Sequence, residues 1–369
     1  MSRLAFVVVL LAAAFCAAAP VRGIQGEAAD RLLDPELLWD LRRISGPSVS
    51  PDGTRLVYHV RTYDLEEDAG TTHLYLLDLD SGERRQLTGR GSNWGVVWSP
   101  DGDRIAFLSS REGAPQIHLI DMGGGEAQRV TDREGGCANL QWSPDGAHFS
   151  FTSEVREADD PKALFEDLPK ADARVYDDLL IRHWDRWKEG TFSHLFVVGV
   201  DGEGERDLME GQPWDTPLVP FGGGEQIGWA PDGSKIAYTA KKVEDPEVST
   251  DSDIYEVDLA TGETTNLTDG MDGFDIDPVY SPDGTSLAWL SMERPGFEAD
   301  RNRIFVRDRT RGTSREITVG FDQGASGPAW SPDSQTIWFT TDWRGTTQIY
   351  GVAADGGSAP AAATKGRWH

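Results

Sequence analysis

From about residue 45 onward the chain is built of short runs of apolar and polar positions, each cut off by a turn. Runs such as Ile105-Ala106-Phe107-Leu108 and Ile337-Trp338-Phe339-Thr340 are too short for helices. They are rich in branched and aromatic side chains, which predicts strands. Before each run stands one short motif or a close variant of it. The copies are Ser50-Pro51-Asp52-Gly53, Ser99-Pro100-Asp101-Gly102, Ser143-Pro144-Asp145-Gly146, Ala230-Pro231-Asp232-Gly233, Ser281-Pro282-Asp283-Gly284 and Ser331-Pro332-Asp333-Ser334. Proline sets φ at the second turn position, aspartate favours the bend and glycine accepts a positive φ, so the motif predicts a tight turn between two strands. An aromatic strand end precedes most copies, at Trp98, Trp142, Trp229, Tyr280 and Trp330.

The motif starts lie 49, 44, 87, 51 and 50 residues apart. A period in the forties is that of a four-stranded propeller blade. Adding 232 to positions of the second repeat lands on the sixth without a gap: Trp98 meets Trp330, Phe107 meets Phe339, and Gln116-Ile117 meets Gln348-Ile349. The expected fold is all-β: a β-propeller over residues 45–369 with six recognisable four-stranded blades. The last blade is expected to be incomplete, because Ala359-Pro360-Ala361-Ala362-Ala363 suits a ladder strand poorly. The 87-residue gap reads as one blade, the third, carrying an insertion over about 154–192. That insertion opens with an acidic run, Glu154 to Asp160, and continues as a helical piece over Pro161–Leu168. It then continues as Tyr176 to Trp187, turns at Lys188-Glu189-Gly190 and returns as Thr191 to Val200, a long hairpin projecting from the blade. Residues 20–44 form a lead-in with a short helix across Asp34–Arg43.

Composition narrows the function. A formal charge of −27 excludes a phosphate-binding nucleic-acid face. Arg3, the apolar stretch Leu4–Ala14 and the small residues Ala17-Ala18-Ala19 predict a signal peptide over 1–19, hence an exported, periplasmic or secreted protein. The apolar stretch is too short for a permanent membrane span. Phe15 before Cys16 argues against lipoprotein processing. Removing the signal leaves Cys137 alone, so no internal disulfide is expected.

Phe151-Thr152-Ser153-Glu154-Val155, the run Tyr176 to Trp187 containing Arg182-His183-Trp184-Asp185, and Ser193-His194-Leu195-Phe196-Val197-Val198 carry a specific resemblance. They are similar to secreted dipeptidyl peptidases of the prolyl oligopeptidase family, near its dipeptidyl-peptidase V and acylaminoacyl-peptidase branch. Ser48 to Gly53, Val60 to Tyr63 and Asp253 to Leu259 fit the same group. The resemblance implies an amino-terminal propeller that filters peptides for a serine-type hydrolase domain carrying a Ser-Asp-His triad. No Gly-x-Ser-x-Gly nucleophile elbow occurs; the closest match, Gly324-Ala325-Ser326-Gly327, has Pro328 in the final glycine position. No catalytic residue is therefore assigned, the chain alone is expected to be inactive, and its abrupt ending reads as a fragment or a shifted or truncated reading frame.

Relatives of this kind hold a peptide's amino group with propeller carboxylates. The resemblance points to Glu154 and Glu157, three residues apart at the start of the insertion, and to Trp184 and Trp187 as lining of the peptide path. A solvated acidic loop and a packed hairpin are the plainer readings of these residues. His59, His73, His118, His148, His183 and His194 show no metal-ligand spacing, so no metal or cofactor is expected. The expected partner is a peptide substrate reached through the hydrolase domain, with no nucleic acid. Two other readings remain: a stand-alone periplasmic binding propeller like that of the Tol system, and a propeller enzyme of lactonase type.

Overall fold

The computed structural model describes residues 33–163, 167, 168, 170–177 and 179–367. The expected signal peptide, the lead-in up to residue 32, residues 164–166 of the expected helix and His369 lie outside them. The described residues fall into two compact units, one up to Thr131 and one from Asp132 on.

In the first unit, helix α1 (Pro35–Asp40) starts where the Asp34 carboxylate accepts from Leu37 N at 2.7 Å, with proline in the first turn. It is shorter than the Asp34–Arg43 segment expected, because the chain turns extended at Leu41 and enters a sheet. That sheet is β1 (Arg43–Val49), β2 (Arg55–Asp64), β3 (Ala69–Asp78) and β4 (Arg84–Gln86), paired in that order. The second sheet repeats the pattern with β5 (Asn93–Trp98), β6 (Arg104–Ser109), β7 (Gln116–Asp121) and β8 (Gln128–Arg129). Val57, Leu74, Ile105 and Phe107 are fully buried between these two sheets, as stacked sheets require.

The second unit holds four more such sheets. The third is β9 (Ala138–Trp142) and β10 (His148–Arg156), then the insertion with the short ladder β11 (Arg182–His183) and β12 (Arg186–Trp187), then β13 (Thr191–Gly199) and β14 (Arg206–Asp207). The fourth is β15 (Ile227–Trp229), β16 (Lys235–Ala240), β17 (Asp253–Asp258) and β18 (Thr264–Asn266). The fifth is β19 (Asp275–Tyr280), β20 (Ser286–Ser291), β21 (Arg303–Asp308) and β22 (Thr313–Glu316). The sixth is β23 (Ser326–Trp330), β24 (Thr336–Trp343), β25 (Thr346–Ala353) and β26 (Ala361–Ala362). Every neighbouring pair within these sheets is antiparallel.

The sixth sheet corrects the expectation of an incomplete last blade. Ala361 and Ala362 pair with Gly351 and Tyr350, so the alanine run supplies a fourth strand after all. The run is exposed at an outer edge, where a ladder of two residues asks little of side-chain packing. Ser326 and Gly327 of the Gly324–Gly327 segment lie inside β23, so Ser326 is on a sheet strand and not on a strand-to-helix turn.

The turn motif works through one hydroxyl and one carboxylate. Ser50 Oγ donates to Asp52 Oδ1 at 2.5 Å and accepts from Arg55 N at 2.9 Å, while Asp52 Oδ1 also accepts from Thr54 N. These bonds hold the Asp52 carboxyl down at about 2. Gly53 donates to the Ser50 carbonyl with φ at 73°. The same Ser-to-Asp bond recurs at Ser99, Ser143, Ser281 and Ser331. The aromatic position before the turn tethers one sheet to its predecessor. Trp98 Nε1 donates to the Ser48 carbonyl, Trp229 Nε1 to Ser150 Oγ and Trp330 Nε1 to the Val279 carbonyl, at 2.8–3.1 Å.

The insertion is smaller than expected. β10 and β13 pair without a break from His148↔Gly199 to Arg156↔Thr191, so the departing segment is 157–190 and Glu154 lies within a strand. The described part of the expected helix, 161–163 with 167 and 168, contains no α-helical residue. The hairpin turns at Trp184-Asp185, not at Lys188-Glu189-Gly190. Those three residues instead form the return to the sheet, where the Gly190 carbonyl accepts from both Glu157 N and Ala158 N at 3.1 Å.

Candidate functional site

The root of the insertion gathers charge. Along β10 side chains alternate between faces, so Glu154, directly across from Ser193, lies on the opposite face from Ser153 and its partner His194. Glu154 does not open the insertion with Glu157: the first is in a strand and the second lies just beyond it.

Glu157 joins a different group. It lies with His194 and Asp207 so that one ligand-type atom of each falls within 4.8 Å of the others. His194 is fully buried. Its Nδ1 is 2.8 Å from Asp207 Oδ2, and its Nε2 is 2.7 Å from the Gln212 carbonyl oxygen. A carboxylate and a carbonyl only accept, so the arrangement favours an imidazole that donates from both ring nitrogens, its charged form. Burial works against that charge, but the Asp207 bond and charge, the Gln212 carbonyl and the Glu157 charge outweigh it and hold the group above its ordinary range. In this arrangement the three side chains form an ionic network around His194.

Glu154 has a different neighbour. Asp215 Oδ1 accepts from Ser193 N at 2.8 Å, and Ser193 Oγ donates to the Thr216 carbonyl at 2.9 Å. Burial pushes the Asp215 carboxyl up, and the Glu154 charge adds to the rise. Two carboxylates thus sit together at the root, one exposed and one half-buried. Lys188, whose Nζ stands 4.6 Å from the centre of the Phe192 ring, contributes an opposing charge to Asp215.

The two tryptophans separate in role. Trp187 is stacked on Tyr176 at 6.4 Å, with the guanidinium carbons of Arg174 and Arg182 at 4.9 and 5.6 Å from its ring centre. Arg174 is itself held by Glu189 at 2.9 Å. Trp184, at the hairpin turn with φ at 49°, is 66% exposed and meets Phe221 edge to face at 5.3 Å. Phe221 closes the loop that also carries Asp207, Gln212 and Asp215. One loop therefore connects the charged root to the aromatic tip. Sequence reasoning missed Asp207, His194 and Asp215, because their proximity arises from strand register and a loop crossing, neither of which leaves a spacing motif.

The profile of the TolB beta propeller domain family, PD40, matches residues 42–173 and 227–369. The chain belongs to this propeller family. Among curated proteins, this PD40 chain is 36% identical over 349 residues to dipeptidyl-peptidase 5 of Porphyromonas gingivalis, covering 93% of this chain and 51% of that protein. It is 27% identical over 379 residues to dipeptidyl-peptidase 5 of Aspergillus fumigatus, covering 89% and 52%. The chain thus spans about half the length of these relatives. Among solved structures, an acylaminoacyl peptidase bound to Z-Gly-Gly-Phe-chloromethyl ketone matches with a TM-score of 0.66 at 17% identity, over 90% of this chain and 48% of that one. The β-propeller domain of the Trilobed protease from Pyrococcus furiosus matches with a TM-score of 0.58 at 15% identity, over 88% and 86%. These structural likenesses establish the propeller fold of the PD40 chain. The curated relatives tie it to the propeller portion of peptidases.

Proposed function

We propose that the chain is the substrate-admitting propeller portion of an exported serine peptidase of dipeptidyl or acylaminoacyl type, with bond cleavage carried out by a hydrolase domain of the kind its relatives' greater length accommodates. In this reading Glu154 and Asp215 hold the ammonium group at the amino end of a peptide, and Trp184 offers an apolar face to a peptide side chain. The observation that carries the reading is the exposed Glu154 carboxylate beside Asp215 at the insertion root. Two neighbouring carboxylates supply the negative charge and the acceptors that an ammonium group requires. Glu157 is engaged with His194, and Trp187 is held between arginines. Both support the site and neither contacts the peptide. The Tol-type binding propeller is the weaker reading, since the curated relatives are dipeptidyl peptidases by name.

Calorimetric titration of the chain with Ala-Ala-amide and with its N-acetyl form tests the proposal. The free amine is expected to bind at least tenfold more tightly, and Glu154→Gln to remove the difference. Equal binding of the two forms would refute the ammonium site. Hydrolysis of a fluorogenic dipeptidyl substrate by the chain alone would refute the division of labour. Export is checked separately by the amino-terminal residue of the secreted protein, expected to be Pro20.

A further inference from the structure

A second cleft lies between the fifth and sixth sheets, and no part of the reading above uses it. It is open, has a volume of about 370 Å3, and is lined by Arg301, Asn302, Ala325, Thr341 and Asp342 among others. Three buried polar atoms along it have no hydrogen-bond partner: Arg301 Nη1, Asn302 Oδ1 and Thr341 Oγ1. Buried polar groups are nearly always satisfied, so three along one cleft call for an explanation. Thr341 is 3% exposed and belongs to the wall of the cleft.

The repeat shows how the vacancy arose. In the second sheet, Asn93 pairs across the ladder with Ser109, and Ser109 Oγ donates to Asn93 Oδ1 at 2.8 Å. In the fifth, Asp275 and Ser291 occupy the same paired positions across the ladder. The offset of 232 that aligns the second and sixth repeats carries Ser109 to Thr341 and Asn93 to Ala325. The sixth sheet therefore keeps the hydroxyl but replaces its partner with a methyl group. Space and an unmet hydroxyl result together.

The unmet atoms define a chemistry. Arg301 Nη1 needs an acceptor; its other nitrogen, Nη2, already donates to Glu316 at 3.2 Å. Asn302 Oδ1 needs a donor, and Thr341 Oγ1 can serve as either. A carboxylate would leave Asn302 unmet and would face Asp342, while a cation would face Arg301. An amide offers one carbonyl acceptor and one N–H donor, which matches the set.

We infer that this cleft binds the main-chain amide of an extended peptide, through Arg301, Asn302 and Thr341. The inference rests on the peptide-handling reading of the chain but uses a part of the peptide other than its amino end. The position fits: Arg301 and Asn302 precede β21, and Thr341 lies near the turn from β24 to β25. The cleft thus forms where second and third strands are joined, as the insertion joins them in the third sheet.

The probe is N-acetyl-Ala-Ala-Ala-amide, which has no ammonium group and so reads this cleft independently of Glu154 and Asp215. Titrated into the chain, it is expected to bind saturably. Thr341→Val keeps the side-chain shape and removes only the hydroxyl; it and Arg301→Met are each expected to weaken binding at least fivefold. A thermal melt of each variant verifies folding, and Thr341→Val carries the test alone if Arg301→Met is unfolded. Absence of saturable binding, or equal binding by the wild type and Thr341→Val, would overturn the inference. So would binding of maltotriose with the same variant sensitivity in place of the peptide, since that would assign the cleft to polyhydroxyl ligands. If the blocked peptide binds here while free and acetylated Ala-Ala-amide bind alike, only the ammonium site falls.

Discussion

His194 and Asp207 form an ion pair with 2.8 Å between Nδ1 and Oδ2, and the histidine side chain is wholly buried. Because the folded state holds the imidazole above its ordinary range, it binds a proton more tightly than the unfolded chain does. The stabilisation is fully present below the unfolded value near 6.5 and is lost as pH rises through the folded one. His194→Gln should therefore cost about 3 kcal/mol at pH 6. The gap to wild type should narrow towards pH 9, as read from denaturant midpoints across that range.

Asp275 is expected to show the reverse benefit on mutation. It is fully buried, accepts from Trp289 Nε1 at 3.1 Å, and burial pushes its carboxyl up to about 7. A raised acid favours the folded state only while protonated, so stability falls as pH climbs from about 4 to about 7. Asn93 shows that an amide fits the corresponding place in the second sheet. Asp275→Asn should raise stability at pH 8 by about 2 kcal/mol and leave it unchanged at pH 4. Melting curves at the two pH values check this.

The turn hydroxyl is expected to matter in both directions. Ser281 is fully buried; its Oγ is 2.6 Å from Asp283 Oδ1 and accepts from Ser286 N at 2.9 Å. Ser281→Ala should cost about 1–2 kcal/mol in denaturant unfolding. The fourth motif carries Ala230 at that position, so Ala230→Ser should raise the melting temperature by a measurable margin.

Gly190 closes the insertion with φ at 77°, and a Cβ there would lie 2.5 Å from the Ala158 carbonyl oxygen. Gly190→Ala should strain the latch that binds Glu157 N and Ala158 N, by about 1–3 kcal/mol locally. Limited proteolysis should then cut within 157–190 faster than in the wild type, while the sheets stay protected.

The sheets were legible because each one is announced by a local device: a hydroxyl, a proline and a carboxylate fix the turn, and a tryptophan marks the strand before it. Local chemistry of that kind is written in consecutive residues. The alanine strand β26 was misjudged because propensity says little about a two-residue outer edge. The insertion was misjudged because only pairing with β13 reveals that Glu154 belongs to the ladder. The charged root was hidden for the same reason. His194, Asp207 and Asp215 meet through register and a loop crossing, and in sequence each looks like ordinary surface polarity. Ala325 was overlooked as well: the repeat offset sets it against Asn93, but only the ladder pairing of Asn93 with Ser109 gives that difference a meaning.

The loop from Asp207 to Phe221 contains Pro213, Pro217 and Pro220, and it is fastened at one end to His194 and Ser193 and at the other to Trp184. Three fixed φ angles within eight residues leave little slack between those fastenings. A segment so constrained is expected to pass a shift at Phe221 on towards Asp215 instead of absorbing it. Under the proposed reading, the contact a peptide makes at Trp184 and the hold on its amino end at Glu154 and Asp215 would be coupled through this one stiff segment.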